Sequence, residues 1–93
     1  MIRHIVLWKF REGTEAAQEE FLTALQGLYG VIPEIKNCEV RKNVTAGEYD
    51  AALIADFDDH AALERYLADP RHVAVSALCK AIRTDRAAVD YAL

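Results

Sequence analysis

The chain has 93 residues, 11 of them Lys or Arg and 15 Asp or Glu, for a net charge of −4 and a pI near 5.3. That length suits a single domain spanning residues 1–93 with a modest core, and the acid excess argues against nucleic acid or an anionic membrane as partner, since both need a basic face. No run approaches the ~20 apolar residues of a membrane span, no small-residue cleavage site follows Ile5–Trp8, and Cys38 and Cys79 match no CxxC spacing. These features predict a cytoplasmic protein with two reduced cysteines.

Met1–Phe10 reads as a strand that is apolar on both faces: Ile2, Val6, Trp8 and Phe10 share one face with His4, and Ile5 and Leu7 share the other. Arg11–Thr14 breaks the alternation, and Thr14 suits a helix N-cap with Glu15 in the first turn. Ala17, Phe21, Leu25, Leu28 and Ile32 then recur at helical spacing, which predicts a helix that Pro33 ends. Ile35–Val44 alternates as a half-exposed strand, Thr45–Glu48 is a turn, and Tyr49–Phe57 is a second strand apolar on both faces. Asp58-Asp59 starts a helix carrying Leu63, Tyr66 and Leu67, and Asp69-Pro70 restarts it with Val73, Ala77, Leu78 and Ile82 on the second segment. Thr84–Leu93 closes the chain as a half-exposed strand, with Ala87, Val89, Tyr91 and Leu93 opposite Arg86, Ala88 and Asp90.

This order is β-α-β-β-α-β, an α+β chain of ferredoxin-like plan with a four-stranded antiparallel sheet. In that plan the first and third strands are central, and these are the two that the sequence makes apolar on both faces. Right-handed crossovers put the helices on one face of the sheet. The other face would show apolar side chains to water, so a homodimer packed through the open face of the sheet is expected. The pattern leaves open which face of the first strand meets the helices.

Islands along the chain add a family resemblance. Ile2-Arg3-His4-Ile5-Val6-Leu7-Trp8-Lys9-Phe10, Tyr49-Asp50, Phe57-Asp58, Tyr66-Leu67-Ala68-Asp69-Pro70-Arg71-His72-Val73 and Val89-Asp90-Tyr91 resemble, in order, the stress-responsive A/B barrel (Dabb) family of the dimeric α/β-barrel superfamily. The resemblance implies a dimeric α/β barrel, a homodimer of packed sheets with a pocket in each subunit between helices and sheet. Plant relatives include polyketide cyclases that close a ring by intramolecular aldol condensation without metal or organic cofactor. In that pattern a histidine and a tyrosine of the helical segment act on the substrate; they fall on His72 and Tyr66 here, and the first-strand histidine falls on His4. Cyclases can carry a further histidine at the start of the third strand, where this chain has Ala51.

The chemistry fits those residue types. A neutral imidazole removes a proton alpha to a carbonyl, a phenol hydrogen-bonds the enolate oxygen, and free imidazole titrates at about pH 6.5. Convergence of Tyr66 and His72 depends on a bend at Pro70; otherwise Tyr66 is a core residue and His72 bridges the turn. His4 is either a satisfied core group or a pocket group, Trp8 either packs or forms the wall of a substrate pocket, and His60 sits in solvent. No HxH or HxxxH spacing joins His4, His72 and a carboxylate such as Asp56 into a metal site, and no Gly-rich phosphate loop exists, so neither metal nor cofactor is expected. Three readings follow: a cofactor-independent cyclase or lyase acting on a small carbonyl compound, a dimer that binds a small-molecule ligand without turnover, and a cofactor-free monooxygenase.

Overall fold

A computed structural model describes residues 1–93. The elements in chain order are β1 (Ile2–Phe10), α1 (Glu15–Gln26), β2 (Asn37–Lys42), β3 (Ala51–Phe57), α2 (His60–Ala68), α3 (Pro70–Lys80) and β4 (Arg83–Ala92). The strands form one antiparallel sheet in the order β2-β3-β1-β4, so the fold is ferredoxin-like with β1 and β3 central. These are the strands whose side chains are apolar on both faces, because only a central strand is covered twice.

The register settles which face of β1 meets the helices. Val6, Trp8 and Phe10 are buried with Leu53, Ala55 and Phe57 of β3, under Phe21, Leu25, Leu63 and Tyr66 of the helices. The opposite face is open. There Ile5 pairs with Ile54 on one side and Val89 on the other, and Leu7 pairs with Ala52 and Ala87. Two apolar rows therefore cross three strands on a surface with no helix over it.

Helix α1 ends at Gln26, a turn and a half short of the predicted stop at Pro33. Gly27 and Gly30 are poor helix formers, and Gly30 takes φ 91°, a left-handed conformation that favours glycine. Leu28 and Ile32 are buried all the same, through successive tight turns rather than along a helix face. Thr14 does not cap α1 with its side chain. Its hydroxyl donates to the Arg11 carbonyl and accepts from Gln18 Nε2, and its backbone lies outside the extended region a cap requires. Gln26 has a use that the pattern did not reveal. Its amide donates to the Cys38 carbonyl at 3.2 Å and accepts from the Val40 N–H at 2.9 Å, so it pairs with the free edge of β2 as a neighbouring strand would. Strand β2 is two residues shorter than predicted at each end, leaving Val44 exposed, and β3 begins two residues later than predicted and ends at Phe57 as expected.

Between α2 and α3, Asp69 closes one helix and opens the next. Its backbone is extended, its carboxylate accepts from the Arg71 N–H at 2.8 Å, and Pro70 occupies the first helical position. The ion pair with Arg71 holds the Asp69 carboxyl down at about 2.

Candidate functional site

Between the sheet and α2–α3 lies a narrow cavity of about 50 Å³, with His4, Trp8, Tyr66, His72, Arg83 and Arg86 among its lining. All four residues singled out in the sequence, His4, Trp8, Tyr66 and His72, meet there.

The break at Asp69-Pro70 brings the helical pair together. On one uninterrupted helix Tyr66 and His72 would lie about 120° apart around the axis. Instead their rings stand 4.4 Å apart at 50°. Phe57 backs the other side of Tyr66 at 4.9 Å and meets the His4 ring edge-on at 6.4 Å. A continuous aromatic wall therefore runs from β1 to α3. Trp8 continues it, packing its ring edge against Phe21 at 5.1 Å while it lines the cavity, so it serves both as core and as wall.

The polar atoms of this wall have defined states. His72 Nδ1 lies 3.2 Å from the Leu67 carbonyl, which can only accept, so Nδ1 carries the hydrogen and Nε2 of the neutral ring keeps a lone pair. Burial pushes the His72 imidazole below its ordinary value; the Leu67 bond opposes this, and the neighbouring charges of His4 and Arg86 add to it. The neutral form therefore dominates at pH 7. His4 Nδ1 is hydrogen-bonded to the Asp90 carboxylate across the β1–β4 pair, which orients its ring and leaves Nε2 unengaged. Tyr66 is 2% exposed, and burial drives its phenol well above the ordinary tyrosine value, with the nearby Cys38 thiol adding to the rise. Neither Tyr66 Oη nor His4 Nε2 bonds to any protein atom, yet every side-chain polar atom sealed from solvent has a partner. Both atoms therefore keep some contact with solvent, and both residues line the cavity.

Asp90, Arg83 and Arg86 belong to this site and were not singled out in the sequence. In β4 the row Arg86, Ala88, Asp90 lies opposite Trp8, Val6 and His4, on the helix side, while Ala87 and Val89 turn to the open face. The polar row, which alternation alone assigns to solvent, borders the cavity. Asp56 lies on the other face of the sheet from His4, in an ion pair with Arg3 at 2.8 Å, so it cannot join the two histidines around an ion. No group of three or more His, Cys, Asp or Glu side chains is arranged to hold a metal. His60 is exposed and pairs with Glu64 one helical turn away at 2.9 Å. Both cysteines are free and buried; burial raises the Cys38 thiol to about 11 and also raises Cys79.

A ferredoxin-like sheet with a pocket under its helices, lined by histidine and tyrosine, defines an A/B-barrel protein by fold and site. The chain belongs to the stress responsive A/B barrel domain family, whose model matches residues 2–93. It is 35% identical over 89 residues to a protein of Streptomyces coelicolor, covering 90% of this chain and 92% of that one. A dimeric ferredoxin-like protein of Thermobifida fusca superposes with a TM-score of 0.88 at 37% identity, covering 99% of this chain and 90% of the other. A hydroxynitrile lyase of Passiflora edulis gives the same TM-score at 14% identity, over 99% and 92%, a likeness of fold alone.

Proposed function

We propose that the chain is a homodimer whose pockets carry out proton transfer on a small carbonyl compound, of the lyase or cyclase kind, without a cofactor. In this reading His72 Nε2 removes the proton alpha to the carbonyl, and Tyr66 Oη donates a hydrogen bond to the oxygen on which charge develops. His4 is the second hydrogen-bonding group, held by Asp90 as a carboxylate holds the histidine of a catalytic dyad. The observation that carries the reading is the meeting of Tyr66, His4 and His72 at one cavity, with Tyr66 Oη and His4 Nε2 free of protein partners and the His72 imidazole held in one tautomer.

Cavity size narrows the chemistry. A space of about 50 Å³ admits a few water molecules or a short acyclic chain, far below the volumes of roughly 300–1,000 Å³ that hold drug-sized ligands. That favours enolisation or lyase chemistry on a small ketone over closure of a long polyketide. The hydroxynitrile lyase of Passiflora edulis establishes that an enzyme can be built on this fold.

Two observations support the homodimer. The rows Ile54–Ile5–Val89 and Ala52–Leu7–Ala87 form an apolar surface on a small chain, the kind of patch that marks an interface. The Thermobifida fusca protein, 37% identical, is dimeric.

The test is deuterium uptake at the methyl group of pyruvate and of 3-methyl-2-butanone in D₂O, followed by proton NMR. The protein is expected to accelerate exchange of at least one over buffer containing equimolar imidazole, and His72→Gln to return it to that background. Exchange no faster than free imidazole with both compounds would overturn the catalytic reading.

A further inference from the structure

The geometry points to a carboxylate-binding subsite at the cavity mouth, formed by Arg83 and Arg86, so that the compound taken by this pocket is a small keto acid. This inference rests on the carbonyl reading for the ketone half of the ligand and on the arginines alone for the acid half.

Three residues apart on a regular strand, positions 83 and 86 would point to opposite faces of the sheet. They do not, because the β1–β4 register shifts. Trp8 pairs with Arg86 and Lys9 with Asp85, but Phe10 pairs with Arg83, so Thr84 is an extra residue with no partner on β1. This β-bulge turns Arg83 back onto the helix side, where it joins Arg86 in the cavity lining. The irregularity thus re-aims a charged side chain into the pocket, a position an ordinary strand would have given to the open face.

The two guanidinium groups are free of internal counterions. None of the ion pairs in the molecule involves Arg83 or Arg86. Asp90 is engaged by His4, and it lies four residues along the strand from Arg86, about 13 Å at strand rise. Asp85 is on the open face beside Lys9 and accepts from the Tyr49 hydroxyl at 3.4 Å. Arg83 lies within hydrogen-bonding reach of the Cys79 thiol, a neutral partner at this burial, and Arg86 is close enough to His72 to oppose its protonation, so both guanidinium groups lie beside the cavity. In a chain of net charge −4, the pocket is lined by two arginines and two histidines, and its carboxylate neighbours are already paired, Asp90 with His4 and Asp69 with Arg71. Guanidinium forks match the planar carboxylate in two parallel hydrogen bonds, and a narrow cavity suits that flat group better than a tetrahedral phosphate.

The probes are pyruvate and 3-methyl-2-butanone, which share a branched skeleton and differ in carboxylate against isopropyl. Binding to the full chain is read from fluorescence of Trp8, the chain's sole tryptophan and itself part of the cavity lining. Pyruvate is expected to bind at least about tenfold more tightly than the ketone, with the advantage falling as salt is added. Arg83→Gln and Arg86→Gln should each erase about tenfold of that preference while leaving the affinity for the ketone unchanged. Arg86 is exposed, so its variant serves if Arg83→Gln disturbs folding. Equal affinity for acid and ketone would overturn the subsite, whatever the exchange assay shows. Inorganic phosphate displacing pyruvate at lower concentration than pyruvate itself would overturn the carboxylate assignment. A clear preference for the acid with no deuterium exchange would support the subsite and overturn the catalytic reading alone.

Discussion

Tyr66→Phe separates the chemical role of Tyr66 from its structural one. The ring is sealed between Phe57 at 4.9 Å and His72 at 4.4 Å, and the substitution keeps the ring. The hydroxyl makes no hydrogen bond within the protein, so its loss breaks none and leaves no partner stranded. Stability should stay within about 0.5 kcal/mol of wild type, which at this chain length corresponds to a Tm within about 4 °C. Tyr66→Ala, which also deletes the buried ring, should cost about 3–5 kcal/mol. If Tyr66 Oη stabilises the developing oxyanion, Tyr66→Phe should lower methyl exchange in pyruvate by about 10²–10³-fold, the usual cost of losing one such donor. Calorimetry and exchange NMR on the same samples give both quantities. A Tm lowered by more than about 8 °C would mean that the hydroxyl has a structural partner. An unchanged Tm with undiminished exchange would remove Tyr66 from the chemistry.

Because burial lowers the His72 value below 6.5, the unfolded chain takes up that proton first. Stability should therefore be complete above about pH 6.5 and fall as pH drops through the folded value, and His72→Gln should flatten that part of the urea-midpoint profile. The acid limb of kcat/KM should lie below that of free imidazole for the same reason, and a limb above it would contradict the burial argument. Asp90→Asn removes the charge that orients His4 and should reduce exchange at least about tenfold with KM little changed; a change in KM alone would make Asp90 a binding group. Leu7→Glu sets a carboxylate in the middle of the open apolar rows and should yield monomer in sedimentation equilibrium, whereas an intact dimer would place the interface elsewhere.

Much of the fold was legible because its central strands are apolar on both faces and its edges are not. Ile5 and Leu7 opposite Val6 and Trp8 announce a strand covered twice, but both rows are apolar, so nothing in them tells which one the helices take. The Asp69-Pro70 restart was also legible, since an extended cap and a fixed φ have few other uses, and on it depends the meeting of Tyr66 with His72. The end of α1 was not, because Leu28 and Ile32 reach the core through turns and mimic helical spacing. Half of the site was hidden in β4. Arg86 and Asp90 look like a solvent row until a cavity is placed beside them, and Arg83 reaches that cavity only through a bulge whose extra residue, Thr84, carries no mark in the sequence.

The strand β4 writes two messages in alternate letters. Its even-numbered positions from Arg86 to Asp90 face the pocket, and its odd-numbered positions from Ala87 to Tyr91 face the open surface. Each message can be edited by substitution without touching the other. An insertion or deletion of one residue within the strand cannot be so confined: it would send Asp90 away from His4 and bring Val89 or Tyr91 into its place, while putting charge among the apolar rows. Divergence of this strand is therefore expected to proceed by replacement at constant length, with changes of length confined to the Ala81–Ile82 corner that precedes the paired register.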